Sequence, residues 1–135
     1  MNPLDVVGTW QLAVFEITDP GGMPKPWGAN MSGLLIYTLE GTMSVAMNCD
    51  PIGDPRDFKS IYDATLFYAG TYEINGDQMI HHVQNASDPD RIGKDMVRSV
   101  GINGDRLMLE GRGEFGRAVV EWRRILPSKK LAGNL

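Results

Sequence analysis

Apolar and polar residues alternate with a period of two along most of the chain, in runs cut by short turn signals. These signals are Glu40-Gly41, Asn75-Gly76-Asp77, Asn103-Gly104-Asp105 and the glycine-rich run from Gly111 to Gly116. Such alternation marks strands with one buried face, and Asn-Gly between two such runs marks a tight hairpin because both turn positions tolerate positive φ. Reading outward from the turns predicts eight strands: Gly8–Thr18, Gly33–Leu39, Thr42–Asn48, Tyr68–Ile74, Gln78–Asn85, Asp95–Ile102, Arg106–Gly111 and Arg117–Ile125. Consecutive short strands joined mostly by tight turns favour an antiparallel up-and-down meander. Eight of them can close into a barrel that leaves no edge unpaired and has room for side chains plus one small ligand.

Two segments break the alternation. Asp19 to Ser32 holds Pro20, Pro24, Pro26 and three glycines, so it predicts a long loop over one barrel mouth. After Pro51, Gly53 and Pro55, the residues Phe58, Ile61, Tyr62 and Thr65 fall at helical spacing, which predicts one short amphipathic helix before the fourth strand, packed on the barrel or across its opening. Residues 127–135, beginning at Pro127, read as a frayed tail. The whole of 1–135 is then a single all-β domain, a size that supports one substantial core.

Because strand residues alternate faces, the apolar parity marks the lumen. It places Trp10, Leu12, Val14 and Glu16 of the first strand inward, with Leu35, Tyr37 and Leu39 of the second and Met43, Val45 and Met47 of the third. The later strands add Tyr68 and Tyr72, then Met79, His81 and Val83, then Met96 and Arg98, and finally Leu107, Leu109, Val120 and Trp122. This lining is mostly apolar, and its methionines adapt to irregular shapes. The polar exceptions, Glu16, Tyr37, Tyr68, Tyr72, His81 and Arg98, need a reason to be there, because a charge or imidazole in a dry lumen is costly without partners.

The formal net charge of −4 gives no attraction to phosphate backbones or anionic lipid, so nucleic acid is not an expected partner. No run approaches the ~20 apolar residues that span a bilayer, and no membrane association is expected. The lone Cys49 excludes an intrachain disulfide, and the N-terminal residues lack a basic segment followed by an apolar run; both predict a cytoplasmic location. His81 and His82 are adjacent on a strand and face opposite ways, so they cannot share one metal ion, and no metal is expected. The pattern Gly111-Arg112-Gly113-Glu114-Phe115-Gly116 matches the glycines of dinucleotide-binding turns but precedes a strand instead of a helix. It predicts a hairpin and no cofactor.

Gly8-Thr9-Trp10 and Trp122-Arg123-Arg124 resemble the two ends of a lipocalin-type barrel, in which an arginine of the last strand packs on a tryptophan of the first. The run Gly33 to Thr38 with Glu40-Gly41 and Met43-Ser44-Val45, together with Tyr68-Ala69-Gly70-Thr71-Tyr72 and His81-His82-Val83, is similar to the bacterial lipocalin-like domain family of calycin-type barrels. The order and spacing of these elements carry the resemblance from Gly8 to Arg124. It departs from secreted lipocalins in lacking a cysteine pair and in placing its helix before the fourth strand. The resemblance implies a cup-shaped barrel with a ligand cavity, and a floor where Arg124, or Arg123 if the parity slips by one, packs on Trp10.

The expected function is binding of a small hydrophobic or aromatic molecule in the lumen, with Tyr37, Met43, Val45, Met47, Tyr68, Tyr72, His81, Arg98 and the loop residue Trp27 as ligand contacts. The alternative is a cofactor-free isomerase, cyclase or lyase. In it, His81 or Glu16 would move a proton while Arg98 and Tyr72 stabilise an oxyanion. A homodimer stays open as an assembly.

Overall fold

The computed structural model describes residues 1–114 and 116–126, so the predicted tail at 127–135 lies outside the described residues. Nine antiparallel strands form one sheet: β1 (Gly8–Thr18), β2 (Pro24–Pro26), β3 (Ser32–Tyr37), β4 (Thr42–Asn48), β5 (Thr65–Asn75), β6 (Gln78–Ala86), β7 (Asp95–Asn103), β8 (Arg106–Gly113) and β9 (Gly116–Arg124). Eight of them run in sequence order around a barrel that closes where β9 pairs with β1, while β2 adds to the edge of β1. The predicted closed barrel is therefore the observed fold. Its order is that of a chain in which each strand pairs with the next, the arrangement that short hairpin turns dictate.

The loop from Asp19 to Ser32 contains strand structure that its prolines argued against. Pro24 and Pro26 are tolerated because β2 is a three-residue edge strand, where a missing N–H faces no ladder partner. The helix α1 (Phe58–Asp63) sits before the fourth barrel strand as expected, with Asp57 accepting from the Lys59 amide as its N-cap. Its packing differs from expectation: Phe58, Ile61 and Tyr62 are exposed and Ser60 is buried, donating to the Ile52 carbonyl at 2.9 Å.

The lower end of the barrel is the one where β1 begins and β3 and β9 end. It is sealed. A 3₁₀ turn at Pro3–Val6 brings Val6 beneath the barrel, where its carbonyl accepts from the indole N–H of Trp10 at 2.9 Å. The Arg124 guanidinium lies 4.2 Å from the Trp10 ring centroid and donates to the carbonyls of Val7 and Asp5. Val6, Trp10, Tyr37, Met43, Met79 and Leu107 fill this half, each with at most a few per cent of its surface exposed. Complete burial of one such aliphatic side chain contributes about 1.5–3 kcal/mol. The long loop and α1 both lie at the other, upper end, where Trp27 stacks on Phe15 with centroids 5.2 Å apart.

One sheet irregularity changes the lumen. Between Leu12 and Val14 the β1–β9 register shifts, leaving Ala13 as an extra residue. Such a bulge reverses facing beyond it. Phe15 and Ile17 consequently join the core, and Glu16, predicted inward, is exposed on the outer face opposite Pro26. Leu39, also predicted inward, is exposed in the turn after β3.

Candidate functional site in the upper lumen

Above the packed floor, a cavity of about 70 Å³ remains inside the barrel. Its wall is mainly apolar, from Phe15, Leu35, Val45, Met47, Leu66, Leu109 and Val120, and is interrupted by Tyr68, His81, Arg91, Arg98 and Trp122. Two further pockets lie at the upper mouth. One of about 170 Å³ shares Leu66 and Arg91 with the lumen cavity, and one of about 310 Å³ lies between Trp27, Cys49 and Ser60. Trp27 lines both mouth pockets, so it is placed at the entrance and not in the lumen.

His81 organises the polar interior. It is 1% exposed, and its two ring nitrogens meet two tyrosine hydroxyls: Nε2 lies 2.6 Å from Tyr37 Oη, and Nδ1 lies 2.7 Å from Tyr68 Oη. Parity explains the meeting, since Tyr37 ends β3, Tyr68 lies on β5 and His81 on β6, all on the inward face. The three groups form a hydrogen-bonded line from the filled lower half up to the cavity. Burial depresses the basicity of His81 to about 3, helped by the nearby positive charge of Arg98, and the imidazole is neutral at ordinary pH. Burial also raises both phenols, Tyr68 to about 12, so both keep their protons.

Arg98 is half-buried on β7, beside Gly111 of the neighbouring strand β8. A Cβ at Gly111 would stand 2.9 Å from the Arg98 Cζ and Nε, so the arginine side chain packs directly over the glycine of that strand. Its Nη1 donates to the Val97 carbonyl at 2.9 Å, and among the described residues no carboxylate pairs with it. Trp122 is 1% exposed, and its indole N–H has no acceptor among the described residues. A buried donor without an acceptor costs roughly 1–3 kcal/mol.

The predicted contacts thus divide. Val45, Met47, Tyr68, His81 and Arg98 border the cavity. Tyr37 supports His81 from below, Met43 belongs to the filled half, and Tyr72 packs on Tyr37 and donates to the Thr38 carbonyl at 2.7 Å near the lower rim. Glu16 is removed from the set by the bulge. Arg91, Leu66 and Trp122 were not predicted as contacts. Leu66 was within reach of the sequence, since extending the Tyr68 parity back by two residues faces it inward. Arg91 arrives on a short 3₁₀ turn, Pro89–Arg91, that no periodicity announces.

Among solved structures, lipoprotein YedD of Klebsiella pneumoniae is 12% identical, with 98% of this chain and 81% of that chain covered and a TM-score of 0.47. A protein described as the REP1-NXSQ fatty acid transporter is 14% identical, with 92% and 98% covered and a TM-score of 0.48. A de novo designed fluorescence-activating β-barrel is 12% identical, with 88% and 93% covered and a TM-score of 0.46. No curated protein sequence matches the chain. The sequence profile of a lipocalin-like domain matches residues 7–125, the span that begins just before β1 and ends just after β9. That span is the closed barrel itself, from the Trp10 floor to the Arg124 that caps it, and the chain belongs to the lipocalin-like domain family.

Proposed function

We propose that the protein binds a small hydrophobic or aromatic molecule in the upper half of its barrel, entering past Trp27 and Leu66. One observation carries this reading: the polar side chains of the lumen cluster around its remaining cavity, and among the described residues Arg98 has no carboxylate partner and the Trp122 indole no acceptor. Tyr68, His81, Arg98 and the unpartnered Trp122 indole all border the same space, and the other walls are apolar. A few placed polar groups in an apolar concavity is the usual make-up of a ligand site.

A cofactor-free isomerase, cyclase or lyase acting on the same molecule would need a proton acceptor in the lumen. His81 has both nitrogens engaged and its basicity pushed down to about 3, and Glu16 is outside. A base that weak takes little part in proton transfer at neutral pH. Binding is the function this geometry supports best.

The test is a titration of the isotope-labelled protein with small aromatic and short aliphatic compounds, neutral, acidic and basic, followed by methyl resonances. Shifts are expected at Met47, Leu66 and Val120, with the floor residues Val6, Met79 and Leu107 unmoved. No saturable shift with any compound would sink the proposal, as would shifts confined to the outer face.

A further inference from the structure

We infer that the molecule taken by this cavity is an organic acid, bound as its carboxylate with the anionic end in the lumen and the apolar body towards the mouth. This rests on the binding reading above and goes beyond it by fixing the charge, hydrogen-bonding sense and orientation of the ligand.

The first argument is the sign of the polar wall. The polar side chains lining the cavity are Arg98, Arg91, Trp122, Tyr68 and His81, and no acidic or amide side chain lines it. Guanidinium and indole donate and cannot accept. Arg91 is partly neutralised by Asp88 at 3.7 Å, whereas among the described residues Arg98 has no acidic partner. A half-buried guanidinium beside Gly111, with its Nη1 given to the Val97 carbonyl, still carries the Nε–H and Nη2 donors, a planar pair that matches a carboxylate. The site is positive in a chain whose formal net charge is −4, so a general surface attraction for anions does not explain it. Of the acidic residues at the mouth, Asp63 meets Lys59 at 2.6 Å, Asp88 meets Arg91 at 3.7 Å, and Asp50 accepts from the Asn30 amide at 2.6 Å.

The second argument counts protons. A neutral imidazole has one N–H, so in the line Tyr37–His81–Tyr68 it donates to one hydroxyl and accepts from the other. The tyrosine that accepts from His81 keeps its own O–H free. Tyr68 borders the cavity and Tyr37 does not. The arrangement that uses every proton has Tyr37 donating to Nε2, Nδ1–H donating to Tyr68, and Tyr68 donating into the cavity. His81 is a positioning residue here: it makes Tyr68 a donor, which adds one more group that demands an acceptor.

The third argument is size. A cavity of about 70 Å³ is smaller than the ~150 Å³ that holds a benzene ring, and it fits a carboxylate with little else. The pocket of about 170 Å³ that shares Leu66 and Arg91 with it has the volume for a ring.

Isothermal titration with cinnamate, cinnamamide and cinnamylamine at neutral pH tests this. Cinnamate is expected to bind at least ~10-fold more tightly than the amide, with the amine weakest. Arg98→Met should collapse the acid-to-amide preference and Arg98→Lys restore part of it. Trp122→Phe should weaken cinnamate by about 3- to 10-fold. In the cinnamate complex, nitrogen-detected proton correlation should show His81 protonated at Nδ1. Equal binding of acid and amide, or an unchanged preference in folded Arg98→Met, would overturn the carboxylate inference while leaving the binding function standing. The Nε2–H tautomer would remove Tyr68 from the donor set. If neither these three compounds nor the wider titration above gives any binding, the binding reading itself fails.

Discussion

The adjacent histidines respond to acid in opposite ways, and His81 gives the larger and more diagnostic effect. In the unfolded chain it titrates at about 6.5, whereas in the barrel its basicity is depressed to about 3 by burial, then by the charges of Arg98 and His82. Between these values the unfolded state binds a proton that the folded state refuses, so stability falls as pH is lowered through this window. Each pH unit within it is worth about 1.36 kcal/mol. Acidifying from about pH 7 to about pH 5 should therefore remove about 2 kcal/mol through His81 alone, a large part of a typical domain's 5–15 kcal/mol.

Urea unfolding at a series of pH values measures this directly, with His81→Gln as the comparison. The variant is expected to be less stable at neutral pH, because Tyr37 and Tyr68 lose their common partner, but its stability should fall about 2 kcal/mol less over that pH interval. The quantity read is a slope, so the variant's lower starting stability does not enter. Parallel curves for wild type and variant would mean that His81 protonates freely in the folded protein, and the neutral tyrosine-bridged imidazole would be wrong.

Four further outcomes are expected. His82 lies on the outer face between Asp95 at 2.6 Å and Glu73 at 2.9 Å, which raise its pKa, so its stabilisation is full below the unfolded value and is lost as pH rises through the folded one; His82→Gln should cost most in mild acid and least in alkali, again by urea unfolding. Gly70→Ala would put a methyl group 1.9 Å from the His82 carbonyl oxygen where β6 bulges, and should lower stability by about 3 kcal/mol or more in thermal melts. Arg124→Met removes the cation from Trp10 and two donors from the Val7 and Asp5 carbonyls, with an expected loss of about 2 kcal/mol and a change in tryptophan fluorescence. Trp27→Ala should speed dissociation of bound cinnamate in stopped-flow measurements, because Trp27 lines both pockets of the mouth and stacks on Phe15.

The barrel was legible because two Asn-Gly-Asp turns fix the registers of β5–β6 and β7–β8, and because β3, β4 and β7 alternate cleanly. The same clean parity located Tyr37, Tyr68, His81 and Arg98. Glu16 was misplaced for a physical reason: Leu12-Ala13-Val14-Phe15 is apolar on both parities, so alternation carries no information where the bulge occurs. The second bulge did no such harm. It leaves Gln84 as the extra residue on β6, beyond His81, and β5 keeps its parity through Tyr72. The helix was found by its spacing, but spacing does not say what an apolar stripe packs on, and Phe58, Ile61 and Tyr62 face outward. Gly111 read only as part of a hairpin signal, because its role depends on a cross-strand neighbour, Arg98, that register alone supplies.

That register also explains why the two ends of the lumen differ so sharply. At the lower end the inward positions carry Trp10, Met43, Met79 and Leu107, whose bulk fills the taper, with Tyr37 among them and Tyr72 packed on it near the rim. At the upper end, Ala118 and Gly111 stand at neighbouring inward positions of β9 and β8, opposite one another in the ladder. Two small residues there leave room that aliphatic side chains do not take up, and Arg98 occupies the part over Gly111. A core selected only for stability would fill that space with aliphatic bulk, since a half-buried guanidinium without a carboxylate and a buried indole N–H without an acceptor both cost free energy. If the barrel binds as proposed, an acceptor-bearing ligand relieves both costs at the end of the barrel where the packing is incomplete.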